Sequence, residues 1–114
     1  MRVIPTSGYE RRVRRLLKPE ARAAAETAIT ARPDAWPVIR GAGGARKARV
    51  ALPGRGKSGG ARVIYFYAPA ADLVAFFDIY AKSEKEDLTD ADKQNLKTAI
   101  AEILAALEPD DSAG

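Results

Sequence analysis

Residues 54–67, Gly54-Arg55-Gly56-Lys57-Ser58-Gly59-Gly60-Ala61-Arg62-Val63-Ile64-Tyr65-Phe66-Tyr67, join a cationic glycine-rich loop to an apolar, aromatic run. Val63 to Tyr67 are all β-branched or aromatic, the residue types that fit a pleated, half-buried surface, so 62–67 is expected as a strand. The glycines before it let backbone N–H groups come close to an anion, while Arg55, Lys57 and Arg62 supply positive charge. A rigid strand therefore carries a loop suited to a polyanion.

The nucleotide-binding P-loop needs Gly, four residues, Gly, Lys and Ser or Thr, opening into a helix. Counting back from Gly56-Lys57-Ser58, its first glycine falls on Ala51, and strand rather than helix follows, so that reading is set aside. Upstream, Ala45 to Leu52 alternates, with Ala48, Val50 and Leu52 on one face and Lys47 and Arg49 on the other. Downstream, Pro69-Ala70-Ala71-Asp72 separates the central run from Leu73–Tyr80. The three runs read as a meander of consecutive antiparallel strands. The third is apolar on both faces except at Asp78, which places it near the middle of the sheet.

Arg2-Val3-Ile4 reads as a short strand ended by Pro5. Ser7, with Glu10 three residues later, has capping-box spacing, and Val13, Leu16 and Leu17 form an apolar stripe among Arg11, Arg12, Arg14 and Arg15. Pro19 suits the first turn of a second helix running to about Ala31, with Ala21, Ala24, Ala25, Ala28 and Ile29 on the expected buried side. Residues 32–44 are punctuated by Pro33, Pro37 and three glycines and read as irregular, anchored by Trp36, Val38 and Ile39. Thr89 and Asp92 start a last helix whose Leu96, Ile100, Ile103, Leu104 and Leu107 recur at helical spacing. The expected fold is α+β: a small antiparallel sheet with an N-terminal helical hairpin and a C-terminal helix. It is expected as a single domain over 1–108 with a flexible tail over 109–114.

The chain has no cysteine and no histidine, which excludes thiol nucleophiles, the usual zinc ligand sets and imidazole acid–base chemistry. No apolar segment approaches the ~20 residues that span a bilayer, and Met1-Arg2-Val3-Ile4-Pro5 has no signal core, so a cytoplasmic protein without membrane association is expected. The net charge of +4 hides an asymmetry: residues 1–62 carry +11 and residues 63–114 carry −7. A basic face of that size attracts nucleic acid.

If the meander folds back on itself, Lys47, Arg49, Lys57, Arg62, Lys82 and Lys85 converge on one edge of the sheet. Such a cluster suits RNA cleavage by the ribose 2′-hydroxyl: one group takes the proton, cations stabilise the phosphorane, and a donor protonates the leaving oxygen. Crowded cations allow one lysine to act as base while arginines clamp the phosphate. Tyr65 or Tyr80 would stack on a base or donate a proton, although both also suit sheet packing. The same residues equally fit a protein that only binds nucleic acid, and the residues alone leave both readings open.

The segments Gly43-Gly44-Ala45-Arg46-Lys47-Ala48-Arg49, Lys57-Ser58-Gly59-Gly60-Ala61-Arg62-Val63-Ile64-Tyr65 and Tyr80-Ala81-Lys82-Ser83-Glu84-Lys85-Glu86-Asp87-Leu88-Thr89 resemble the RelE toxin superfamily, most closely its HigB-type branch. The resemblance runs from Val3 to about Leu107. It implies a type II toxin that cleaves messenger RNA in the A site of the small ribosomal subunit, with no metal and no cofactor. It further implies a co-encoded, HigA-like helix-turn-helix antitoxin, with operator DNA contacted only through that antitoxin. By motif position, Lys57, Arg62, Lys82 and Lys85 match the family's catalytic cations. Arg46, Lys47, Arg49, Arg55, Gly59, Gly60, Tyr65 and Tyr80 are the expected RNA and phosphate contacts. Several relatives carry a catalytic tyrosine just beyond the basic pair, where this chain has Asp87-Leu88-Thr89. The alternatives on the same fold are a ParE-type gyrase inhibitor, which generally lacks the basic set, and a non-catalytic RNA-binding module.

Overall fold

A computed structural model describes residues 1–52 and 60–107. The chain runs β1 (Arg2–Pro5), α1 (Ser7–Leu16), α2 (Pro19–Ala31), β2 (Arg46–Val50), β3 (Ala61–Ala68), a 3-10 turn (Pro69–Ala71), β4 (Leu73–Ala81) and α3 (Asp90–Leu107). The sheet order is β1-β4-β3-β2. β2, β3 and β4 form the expected antiparallel meander. β1 adds a fourth strand, parallel to β4, with Arg2 opposite Leu73 and Pro5 opposite Phe76. β4 is thus internal, as its two-faced apolar sequence requires.

The two sides of the sheet bury different residues. Tyr9 and Val13 of α1 and Ala25 and Ile29 of α2 pack with Ala48, Val63, Tyr65, Val74, Phe76 and Ile79. Leu96 and Ile100 of α3 pack with Ile64, Phe66, Leu73, Ala75 and Tyr80 on the opposite side. Tyr9 stacks on Phe76 with ring centroids 5.1 Å apart. The sheet is therefore a central layer with helices on both faces, which is why β3 and β4 are apolar almost throughout.

Four local expectations are corrected. Thr6, not Ser7, stands at the N-cap of α1, and it makes no side-chain cap. Its hydroxyl donates instead to the Phe76 carbonyl at 2.8 Å, because β1 delivers it alongside β4. Glu10 is drawn to Arg22 of α2 at 2.7 Å, and the same guanidinium donates to Glu26 at 2.7 Å, so the α1–α2 hairpin is closed by charge at its rim. On α2 only Ala25 and Ile29 are buried, while Ala24 and Ala28 are exposed, since the helix meets the sheet along a single narrow line. Val38 is 54% exposed rather than an anchor.

The start of α3 follows the expectation closely. Thr89 N donates to Asp92 Oδ2 at 2.8 Å and Asp92 N to Thr89 Oγ1 at 3.1 Å, a complete capping box. The segment before β2 is less irregular than its composition suggests. Gly41, Gly43 and Gly44 all have positive φ, and the turn they make buries Ala42 and Ala45 completely. A Cβ on Gly43 would lie 3.0 Å from the Cα of Lys97, so this loop lies directly against α3. Among the described residues, no helix is long and apolar enough to cross a membrane.

Candidate functional site

Antiparallel pairing decides which cations meet. Arg49 on β2 lies opposite Arg62 on β3, and Arg62 lies opposite Tyr80 on β4. Directly paired residues project to the same face, and so does a residue two positions away on one strand, so Lys47 joins this row. That face is the one α3 covers further along, leaving the row at the end of the sheet where β2 leads into β3. A cleft of about 350 Å³ there is lined by Trp36, Pro37, Lys47, Arg49 and Arg62.

Within the row, Arg49 is exposed and Lys47 and Arg62 are half-buried. Among the described residues, no carboxylate lies within 4.0 Å of Arg49, Arg62 or Lys82. Lys47 is 3.4 Å from Asp87, and Lys85 donates to Asp92 at 2.5 Å. The acidic residues of the β4–α3 connector are thus threaded among the cations: Glu84 pairs with Arg15 of α1 at 3.0 Å, a partnership that strand and helix periodicity does not reveal.

Tyr80 closes the row on its inner side. It is 5% exposed, and its hydroxyl has no hydrogen-bond partner among the described residues. The Lys85 ammonium sits 5.5 Å from the centre of its ring. Burial, and after it the nearby Asp87 carboxylate, push the Tyr80 hydroxyl above the usual phenol range, with Arg62 pulling the other way. The group is therefore a neutral donor at physiological pH. The hydrogen bond from Lys85 holds the Asp92 carboxyl below its usual range, and the Leu88 N–H does the same for Asp87.

The other expected contacts take different places. Tyr65 is fully buried and donates its hydroxyl to the Pro33 carbonyl at 2.6 Å, so it lies in the core beneath α1 and out of reach of a surface ligand. Arg46, opposite Tyr65, projects to that side too and donates to the carbonyls of Trp36 at 2.6 Å and Asp34 at 3.2 Å. It braces the 32–37 segment. Gly60 is a close-approach position: a Cβ there would meet the Val50 carbonyl at 3.0 Å, and its own carbonyl accepts from Lys82 N at 3.0 Å. Lys82 is exposed just beyond β4. Arg55, Lys57 and Gly59 lie outside the described residues, as does the tail over 109–114.

One feature of this region escaped the sequence reading. β3 and β4 slip register between Ile64 and Tyr65, a bulge that sets Ile64 opposite Asp78 and Tyr65 opposite Phe76. Asp78 then accepts from Arg12 of α1 at 3.1 Å and from Ile79 N at 2.8 Å. Its burial raises its pKa, opposed by Arg12. The only sequence signal was the lone carboxylate in an apolar strand.

Chemically, the row offers two guanidiniums and a lysine for phosphate oxygens, with a neutral phenol and a second ammonium beside them. Guanidiniums bind phosphate through paired N–H groups, and their charge offsets the negative charge that a phosphorane gathers. The model of the RelE toxin of the RelE/RelB toxin–antitoxin system matches residues 1–111. Among solved structures, an E. coli toxin RelE carrying two arginine-to-alanine changes, in its free state, has a similar fold. Its TM-score is 0.53 at 16% identity, over 75% of this chain and 86% of that one.

Proposed function

This chain belongs to the RelE toxin family of toxin–antitoxin systems, and from that premise we propose that it is a ribosome-dependent endoribonuclease of the HigB-type branch that arrests translation by cutting messenger RNA. The observation that carries the reading is the register row Arg49, Arg62 and Tyr80, with Lys47 beside it on one face. In this reading Arg62 and Arg49 grip the non-bridging oxygens of the scissile phosphate. The adjacent ribose 2′-hydroxyl loses its proton and attacks phosphorus, the bond to the 5′-oxygen breaks, and that oxygen leaves protonated. Lys57, Lys82 and Lys85 are proposed as the further catalytic cations; Tyr80, only 5% exposed with its hydroxyl buried, supports the row beside Lys85 instead of contacting the RNA as the sequence suggested. The proposed partners are the small ribosomal subunit and a HigA-like helix-turn-helix antitoxin.

The test is a primer-extension map of a reporter transcript in a translating extract, run for wild type and Arg62→Ala, with and without ribosomes. Cuts that need ribosomes, fall in codon register and vanish in the variant are the expected result. An intact transcript with wild-type protein, or full cutting by Arg62→Ala, would overturn the proposal. DNA damage signalling with intact transcripts would point to gyrase inhibition on the same fold.

A further inference from the structure

We infer that Asp92 is a positioning residue for the cleavage site, its carboxylate holding the Lys85 ammonium in place over the Tyr80 ring. The inference rests on the proposed function, which puts Lys85 at that site. Lys85 lies in the connector between β4 and α3, its backbone N–H donating to the Ala81 carbonyl at 3.2 Å. Its ammonium donates to Asp92 Oδ2 and stands 5.5 Å from the Tyr80 ring centre, and the side chains of both ion-pair partners are about two-thirds covered.

Asp92 is itself immobilised. The same Oδ2 accepts from Thr89 N, and its backbone N–H donates to Thr89 Oγ1. The helix it starts is pinned into the core by Leu96 and Ile100. A lysine on a four-carbon stem otherwise samples many rotamers, and ordering it only when RNA arrives adds to the barrier. One N–H engaged by Asp92 leaves two on the ammonium for a phosphate. The contrast with its neighbours is direct: Lys82 has no carboxylate within 4.0 Å among the described residues, and the partner of Lys47, Asp87, is 62% exposed.

Capping and positioning can be separated. Thr89→Ala removes half of the capping box and leaves the Asp92–Lys85 pair, whereas Asp92→Asn keeps an oxygen for Thr89 N and loses the charge that holds Lys85. The experiment measures single-turnover cleavage of ribosome-bound transcript by the full chain across toxin concentrations, with thermal melting of each variant alongside. Asp92→Asn is expected to cut about tenfold more slowly at saturation with an unchanged half-saturating concentration, and Asp92→Glu to recover part of that rate. Thr89→Ala is expected to melt earlier yet cut at the wild-type rate. Full-rate cutting by Asp92→Asn, or loss of rate in Thr89→Ala in proportion to its melting shift, would overturn the inference. A wild-type chain that does not cut at all refutes the parent proposal instead, and is told apart by that control.

Discussion

Two tyrosines with the same sequence setting have opposite fates, and the difference is one of hydrogen bonding. Tyr65 gives its hydroxyl to the Pro33 carbonyl, while the Tyr80 hydroxyl is buried with no partner among the described residues. Removing a paired hydroxyl strands its acceptor, whereas removing an unpaired one lifts a desolvation penalty. Tyr65→Phe is therefore expected to lose about 1 kcal/mol in urea unfolding, and Tyr80→Phe to be neutral or stabilising by up to about 1 kcal/mol. A destabilised Tyr80→Phe would show that the hydroxyl has a partner in solution. Both residues are aromatic positions on one strand face or the other, and alternation told only that they sit in the sheet. Which of them borders the cationic row was settled by the bulge between Ile64 and Tyr65 and by the loop carbonyl that Tyr65 meets.

Among the elements, those with strong periodic patterns were legible and the segment before β2 was not. The helix α3 begins at the Thr89–Asp92 box and β2, β3 and β4 lie close to their expected limits, because caps and alternation are local signals. The glycine-rich turn over 41–44 reads as irregular, yet its backbone is shaped to lie against α3. At Gly43, φ is +70° and the space for a Cβ is already taken by Lys97. Gly43→Ala is expected to cost about 1–3 kcal/mol, measured by urea unfolding, from backbone strain and the close approach together. An unchanged midpoint would mean that the turn and helix separate easily. The alanines of α2 teach the converse: small residues along a helix suggested a wide buried face, yet only Ala25 and Ile29 are buried, with Ala21 partly covered.

For the molecule as a whole, charge is the organising quantity, and it acts on both stability and binding. Glu10, Asp87 and Asp92 have lowered folded-state pKa values, from the Arg22 hydrogen bond, the Leu88 N–H and the Lys85 hydrogen bond respectively. Their contribution is present above the unfolded carboxylate value of about 4 and is lost as pH falls through the lower folded values. Asp78, raised by burial, has the opposite sign: it favours the fold at low pH and loses that contribution as pH rises through its folded value. Urea unfolding is expected to show falling stability below about pH 4, more steeply in Asp78→Asn, where the opposing group is gone. A flat acid profile would mean that the carboxylate pairs are not held in solution. In binding, the cationic row predicts salt-sensitive association with single-stranded RNA. Arg49→Ala should reduce the slope of log K against log salt by about 0.7, the share of one phosphate contact, as read by fluorescence anisotropy. An unchanged slope would remove Arg49 from the interface. The chain's own order of residues was enough to specify the α+β class, the meander, the caps of α3 and the concentration of cations before Val63, since all of these depend on neighbours a few positions apart. Only tertiary structure placed β1 beside β4, put α3 on the face opposite α1 and α2, and chose Arg49, Arg62 and Tyr80 as one row with Lys85 held by Asp92. Those relations depend on strand register and on side chains far apart in sequence, and a one-residue slip would send each of them to the other face.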